Sequence, residues 1–182
     1  MADNEWKSLL LPRGPLTIRG TSLDAVVIGL LVEHQHFKQL DLNGFDGFYT
    51  YFASEGFTYG SSAKNWGRLQ QLAFAKDKLF IPSVGPGYID DRVRPWNSAN
   101  TKSRKQGAYY ETQFKAAIES DAAIISVTSF NEWHEGTQIE AAVPKSAQGF
   151  KYLDYSPETA DFYLRLTKKY VEQFKEHSKH SA

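Results

Sequence analysis

Residues 122–144 read AAIISVTSFNEWHEGTQIEAAVP. The opening AAIISVT is short, almost wholly apolar and rich in β-branched side chains, which predicts a buried strand over 122–128. Directly after it, SFNEWHEGTQIE sets two carboxylates, Glu132 and Glu135, three residues apart. In an extended chain, side chains at that spacing point to opposite faces. The pair converges only if the chain turns between them, and Gly136 gives such a turn a tight local path.

Working outward, three more strands are expected, each followed by a helical pattern. Residues 25–31 (AVVIGLL) predict the first strand, and 34–42 a short helix stopped near Asn43-Gly44. Residues 47–52 (GFYTYF) predict the second strand, and 65–76 a helix with Trp66, Leu69 and Ala73 on one face. Residues 79–84 (LFIPSV) predict the third strand, although Pro82 sits inside it. A polar loop over 90–106 leads to a helix bearing Tyr110, Phe114, Ala117 and Ile118. The last helix is expected to open at Ser156-Pro157-Glu158, a cap residue with Pro in the first helical position, and to run to about His177.

Four β-then-α units imply parallel strands joined by helical crossovers. Two architectures fit: half of a (β/α)8 barrel, which when complete needs about 250 residues, or a small doubly wound sheet. The strand ends favour the barrel. They run into Glu33-His34, into 51–55, into 88–91 and into 131–135, and in a barrel all four ends face one mouth. A phosphate-binding doubly wound fold carries a Gly-rich turn after its first strand, where this chain has Leu31-Val32-Glu33-His34. Gly85-Pro86-Gly87 lacks that pattern and reads as a sharp turn.

Composition narrows the partners. In 182 residues, 21 basic side chains balance 21 acidic ones, a sum that argues against a nucleic-acid binder, which needs a basic face to release phosphate counterions. No nucleic-acid partner is expected. There is no cysteine, which removes disulfide and thiolate chemistry. Aromatics make up 14%, more than core packing requires, which suits stacking on the apolar faces of sugar rings. No stretch approaches the roughly 18 apolar residues of a membrane span. The start, Met1 to Lys7, has no basic residues followed by an apolar run, so neither signal nor anchor is expected in the chain as given.

Glycoside hydrolysis needs two carboxyl groups about the scissile bond, one to protonate the leaving oxygen and one to assist at the anomeric carbon. Glu132 and Glu135 are a permissible pair of that kind. Two solvated glutamates at a strand-to-loop junction are the plain alternative. A metal site from His134, Glu135 and Glu140 is a third, without the H-E-x-x-H spacing. No cofactor and no metal is expected.

SFNEWHEGTQIEAAVP (residues 129–144) resembles the signature of glycoside hydrolase family 99, the endo-α-mannosidases. GFDGFYTYFASEGFTYGSS (44–62), FIPSVGPGYID (80–90), RPWN (94–97) and YLDY (152–155) resemble the same family in the same order, so the resemblance covers about residues 20–175. It implies a (β/α)8 barrel, of which this chain supplies about the last four βα units. It also implies a retaining hydrolase that cuts α-1,2-mannosidic linkages within glucosylated high-mannose N-glycans. In that mechanism the sugar's own 2-hydroxyl attacks the anomeric carbon. Glu132 matches the base that deprotonates this hydroxyl, and Glu135 matches the acid/base at the leaving oxygen. Tyr51 matches a tyrosine beside the reacting sugar, its plain reading being a strand aromatic. Arg94 and Trp96 are expected on the donor side or as a loop-packing pair. Asn131, Trp133 and Tyr88 are expected to shape the wall around Glu132.

The resemblance further implies a mannose-containing glycan as partner, residence on the lumenal side of the Golgi membrane, and a need for the N-terminal half of the barrel. Residues 1–19 are expected as a lead-in whose start need not be native, 20–177 as the C-terminal half of the catalytic barrel, and 178–182 as a disordered tail. Alone, the chain is expected to be inactive. The rival reading is an inactive truncated form or glycan-binding remnant of the same family.

Overall fold

The computed structural model describes residues 3–96 and 100–180. Helix α1 (Asp3–Leu10) comes first. Strand β1 (Ile28–Leu30) is followed by α2 (His36–Leu42), and β2 (Gly47–Tyr49) by α3 (Trp66–Phe74). Strands β3 (Leu79–Ile81) and β4 (Ser83–Val84) lead through a long loop to α4 (Ala108–Glu119) and β5 (Ser126–Val127). Strands β1, β2 and β3 pair in parallel in that order, and β4 pairs in parallel with β5. Among the described residues the strands of each parallel sheet follow sequence order, without the reversal that marks the switch point of a doubly wound sheet.

The single strand expected over 79–84 is two strands. Pro82 lies between them and has no N–H to give to a ladder. The chain therefore changes partner there, pairing with β2 before it and with β5 after it. The other strands are also shorter than their apolar runs, because side chains take over the backbone groups. The Val27 N–H donates to the Asp46 carboxylate at 2.7 Å. Beyond β2, the Tyr51 N–H donates to Ser83 Oγ (2.8 Å), and the Ser83 N–H donates to Thr50 Oγ1 (2.9 Å).

Alternation along the strands sorts their two faces. Gly29, Phe48 and Phe80 are in register and buried under the helices. Leu30, Tyr49 and Ile81 form the next row, on the opposite face, and all three remain partly open. The helix-facing core joins Phe48, Phe80 and Val84 to Trp66, Leu69 and Ala73 of α3 and to Tyr110, Phe114 and Ala117 of α4. Trp66, expected on the inner face of its helix, is fully buried, and its indole N–H donates to the Gly60 carbonyl at 2.8 Å. We predict that Trp66→Ala lowers stability by about 3–5 kcal/mol, the cost of the cavity plus the orphaned carbonyl, measured by denaturant titration.

Two expectations about the C-terminal third are corrected. Ser156-Pro157-Glu158 does not open a helix. It forms a turn in which the Glu158 N–H donates to the Tyr155 carbonyl (2.7 Å), and α5 runs from Phe162 to His180 with Asp161 immediately before it. Tyr155 is buried against the site loop, so the chain must first climb away from it before a helix can begin. Residues 178–180 belong to α5 rather than to a disordered tail, and His177 Nε2 lies 2.6 Å from Asp121 Oδ1; residues 181–182 lie outside the described residues. An antiparallel hairpin, β6 (Lys145–Ala147) with β7 (Phe150–Tyr152), was not expected. Its two-residue turn, Gln148-Gly149, has both φ angles positive (52° and 80°), the form that matches strand twist.

The lead-in is tied to the fold. Arg19 donates to the carbonyls of Leu10, Ala25 and Gly44 and pairs with Asp24 and Asp46. No helix among the described residues is long and apolar enough to cross a membrane.

Candidate active site

The loop after β5 is a closed, self-bonded turn. Ser129 opens it and Thr137 closes it: the Ser129 N–H donates to the Thr137 carbonyl (2.9 Å), and the two hydroxyls lie 2.8 Å apart. Inside, the Glu132 N–H donates to Ser129 Oγ, the Gly136 N–H to the Trp133 carbonyl, and the Thr137 N–H to the Glu132 carbonyl. Gly136 has φ 64°, and a Cβ there would come within 2.8 Å of the Ile89 side chain. Ile89 is bonded to the same place, its N–H donating to the Glu135 carbonyl at 2.7 Å. The turn expected between the two glutamates is therefore present, held on one side by its own hydroxyls and on the other by the loop after β4.

This turn aims Glu135 into a cleft bordered by Tyr51, Tyr88, Arg94, Thr128 and Thr137. Those residues come from the ends of β2, β4 and β5. Burial raises the Glu135 carboxyl pKa, and the negative charge of Glu132 raises it further. Arg94 works in the opposite direction but is engaged elsewhere. Its Nη1 donates to the Tyr88 hydroxyl (2.9 Å), which donates in turn to the buried Asp90 carboxylate (3.1 Å). Tyr88 is pushed up to about 12, by burial first and Glu135 second, and remains a neutral donor.

Tyr51 has φ 57°, a left-handed conformation that a bulky aromatic side chain adopts only when its surroundings impose it. The surroundings here are the Ser83 hydroxyl, which accepts from its N–H, and the Thr128 hydroxyl, which donates to its carbonyl at 2.7 Å. The phenol pKa is raised by burial, then by Glu135, Tyr49 and Glu132, so the charges of both glutamates reach it.

Glu132 is exposed and borders a second cavity, shared with Asn131, Trp133, His134 and Tyr152. One of its carboxylate oxygens accepts the His134 N–H at 3.2 Å. Each glutamate thus borders its own cavity, while the charge of Glu132 still acts on Glu135. Trp133 is pinned by its indole N–H to Glu140 (3.0 Å) and packs toward the core. Asn131 is exposed, its carbonyl accepting from the Trp133 N–H. Trp96 is 82% exposed and borders none of the cavities described. Glu33 and His34 do not join the other strand ends; His34 packs edge-on against Tyr59. Asn97, the last residue of RPWN, lies outside the described residues.

The His134, Glu135 and Glu140 metal reading does not assemble. His134 Nε2 lies 3.2 Å from the Arg92 carbonyl, and Glu140 is taken by Trp133. Among the described residues no group of three or more His, Asp or Glu side chains is gathered for a metal ion. Sequence reasoning passed over Asp90, which anchors the Tyr88–Arg94 pair, and Arg104, which donates to the Gly136 and Gln138 carbonyls. An acid next to a glycine-rich turn was a visible signal for Asp90. Arg104, in a polar loop, carried none.

Residues 1–176 match the model of glycosyl hydrolase family 99. The chain belongs to that family. The match begins at residue 1, so the lead-in expected to lie outside the resemblance is part of it. Among family 99 relatives, the glycoprotein endo-alpha-1,2-mannosidase of Rattus norvegicus is 51% identical over 169 residues, 93% of this chain and 37% of that protein. The Xenopus laevis enzyme of the same name is 51% identical over 175 residues, 96% of this chain and 39% of that protein. The solved GH99 endo-alpha-mannosidase from Bacteroides thetaiotaomicron superposes with a TM-score of 0.92 at 50% identity, covering 96% of this chain and 51% of that one. The chain therefore spans under two fifths of those curated relatives and about half of the solved family 99 structure.

Proposed function

We propose that this chain carries the catalytic half of an endo-acting α-1,2-mannosidase, forming the last four βα units of a (β/α)8 barrel. Its substrate on this reading is a glucosylated high-mannose N-glycan, and its setting the lumenal side of the Golgi membrane. The observation that carries the reading is Glu135. It is a half-buried carboxyl with a raised pKa, facing Tyr51, Tyr88 and Arg94 from three strand ends, with a second carboxylate three residues away. A carboxyl whose pKa is raised by burial and by a like-charged neighbour is suited to act as a general acid.

The chemistry runs in two inversions. Glu132 takes the proton of the mannose 2-hydroxyl as that oxygen attacks the anomeric carbon. The bond to the leaving oxygen breaks, and that oxygen takes the proton of Glu135. The product is a 1,2-anhydro sugar. Glu135, now ionised, takes a proton from water as the water oxygen attacks the anomeric carbon and opens the three-membered ring. The freed 2-oxygen recovers its proton from Glu132. The axial 2-hydroxyl of mannose lies on the side needed for attack, and intramolecular delivery confers a large effective molarity.

The open row Leu30, Tyr49 and Ile81 supports the need for the other half. A parallel sheet is ordinarily covered on both faces, and here one face lacks its cover. Among the described residues β1 and β5 each have one partner strand, and Leu30 and Ile124 at these strands are exposed. The test is to fuse the whole chain behind the half of the Bacteroides thetaiotaomicron protein that it does not match, and to assay a glucosylated mannose oligosaccharide. We expect turnover by the folded fusion and none by the 182-residue chain alone. A folded fusion without turnover would overturn the hydrolase reading. Turnover by the isolated chain would overturn the need for a second half.

A further inference from the structure

We infer that Arg104 is a positioning residue for the two glutamates, acting through two backbone peptide groups; this rests on the hydrolase reading above. Arg104 Nη2 donates to two carbonyls, Gly136 at 3.0 Å and Gln138 at 2.7 Å. Each carbonyl belongs to a peptide whose N–H points the other way, into the loop. The Gly136–Thr137 peptide donates through the Thr137 N–H to the Glu132 carbonyl at 3.1 Å. The Gln138–Ile139 peptide donates through the Ile139 N–H to the Phe130 carbonyl at 3.0 Å. One guanidinium thus starts two relays, and they end on the backbone of Glu132 and of Phe130. Glu135 lies inside the span they close. Hydrogen bonds in series polarise one another, and the charge at the head of both relays strengthens each link.

The guanidinium is built in. It lies over the Tyr163 ring at 4.5 Å and the Tyr155 ring at 5.2 Å, and the Tyr155 hydroxyl, which donates to the Glu140 carbonyl at 2.6 Å, lies 3.2 Å from the same Gln138 carbonyl. Its stem passes so close to Gly87 that a Cβ there would come within 2.8 Å of Arg104 Cγ. This accounts for the second glycine of Gly85-Pro86-Gly87. Among the described residues no carboxylate pairs with Arg104, and its Nε and Nη1 are buried without a hydrogen-bond partner. A cation held this way forgoes an ion pair, and its exchangeable bonds are spent on the carbonyls behind the glutamates. The chain also accepts strain to hold it there: Lys105 and Gln106, directly after it, both have positive φ (46° and 51°).

The test uses Arg104→Met, which keeps the stem and removes charge and donors, and Arg104→Lys, which keeps the charge without the planar fork. Leu166→Ala is the control, since Leu166 is buried on α5 and bonds neither carbonyl. All are made in the fused protein described above. Arg104→Met is expected to lower kcat by about 100-fold, the cost of a small misplacement of reacting groups, with KM nearly unchanged; Arg104→Lys is expected to fall between. Amide exchange over residues 130–140 is expected to rise in Arg104→Met beyond its level in Leu166→Ala at matched Tm. If Arg104→Met keeps its kcat, or loses no more than Leu166→Ala does, the inference is overturned. If Glu132→Gln and Glu135→Gln keep turnover, the hydrolase reading fails instead. The exchange measurement still decides whether Arg104 holds the loop: unchanged protection over 130–140 refutes it.

Discussion

Glu135→Gln in the completed protein is expected to lower kcat/KM on a natural glycan by about 10²–10⁴-fold, the usual contribution of a positioned acid/base. The same variant is expected to keep much more of its activity on a mannosyl fluoride, whose leaving group needs no proton. The pH dependence follows from the direction of the shift. Burial, then the charge of Glu132, raises the Glu135 pKa above its ordinary value of 4.5. As the proton donor it must be protonated, so activity is present below its pKa and is lost as pH rises through it. Because that pKa is raised, the falling limb of kcat/KM is expected at higher pH than an unshifted glutamate would set, and it belongs to Glu135. Full activity of Glu135→Gln on the glycan would remove it from the mechanism.

Glu132→Gln is expected to cause a loss of similar size, with a different signature. Without a base at the 2-hydroxyl the attacking oxygen is not activated, so the fluoride is not rescued. Removing the carboxylate also removes the second-largest cause of the Glu135 shift. The Glu135 titration is therefore expected to move to lower pH in Glu132→Gln, read by carbon NMR of the labelled side-chain carboxyl. This result does not depend on turnover. If the Glu135 titration stays where it was, the two carboxyls are not coupled, and the pairing on which the mechanism depends is gone.

Much of the fold was legible because it is written locally. Trp66, Leu69 and Ala73 recur at helical spacing, and all three are buried on α3. The apolar runs 25–31, 47–52 and 79–84 each contain a strand, because β-branched and aromatic side chains fit a pleated surface. Strand ends were less legible. They depend on which side chain captures which N–H, as Asp46 does for Val27 and Ser83 for Tyr51. Ser156-Pro157 looked like a helix start, since both residues are favoured there, but the requirement of Tyr155 for burial prevailed over local preference.

What the amino-acid order determined alone was the set of parts: strands alternating with helices, a family of motifs in order, and two carboxylates three residues apart with a glycine next to them. Each is a property of neighbours within a turn or two of chain. Tertiary structure decided which parts meet. Glu135 faces Tyr51, Tyr88 and Arg94 because three strand ends lie side by side, while Trp96, only two residues past Arg94, stays in solvent. The raised Glu135 pKa arises from that burial, and Arg104 reaches Gly136 and Gln138 across more than thirty positions of chain. Such contacts are set by the packing of helices on a sheet, which no local pattern of residues encodes.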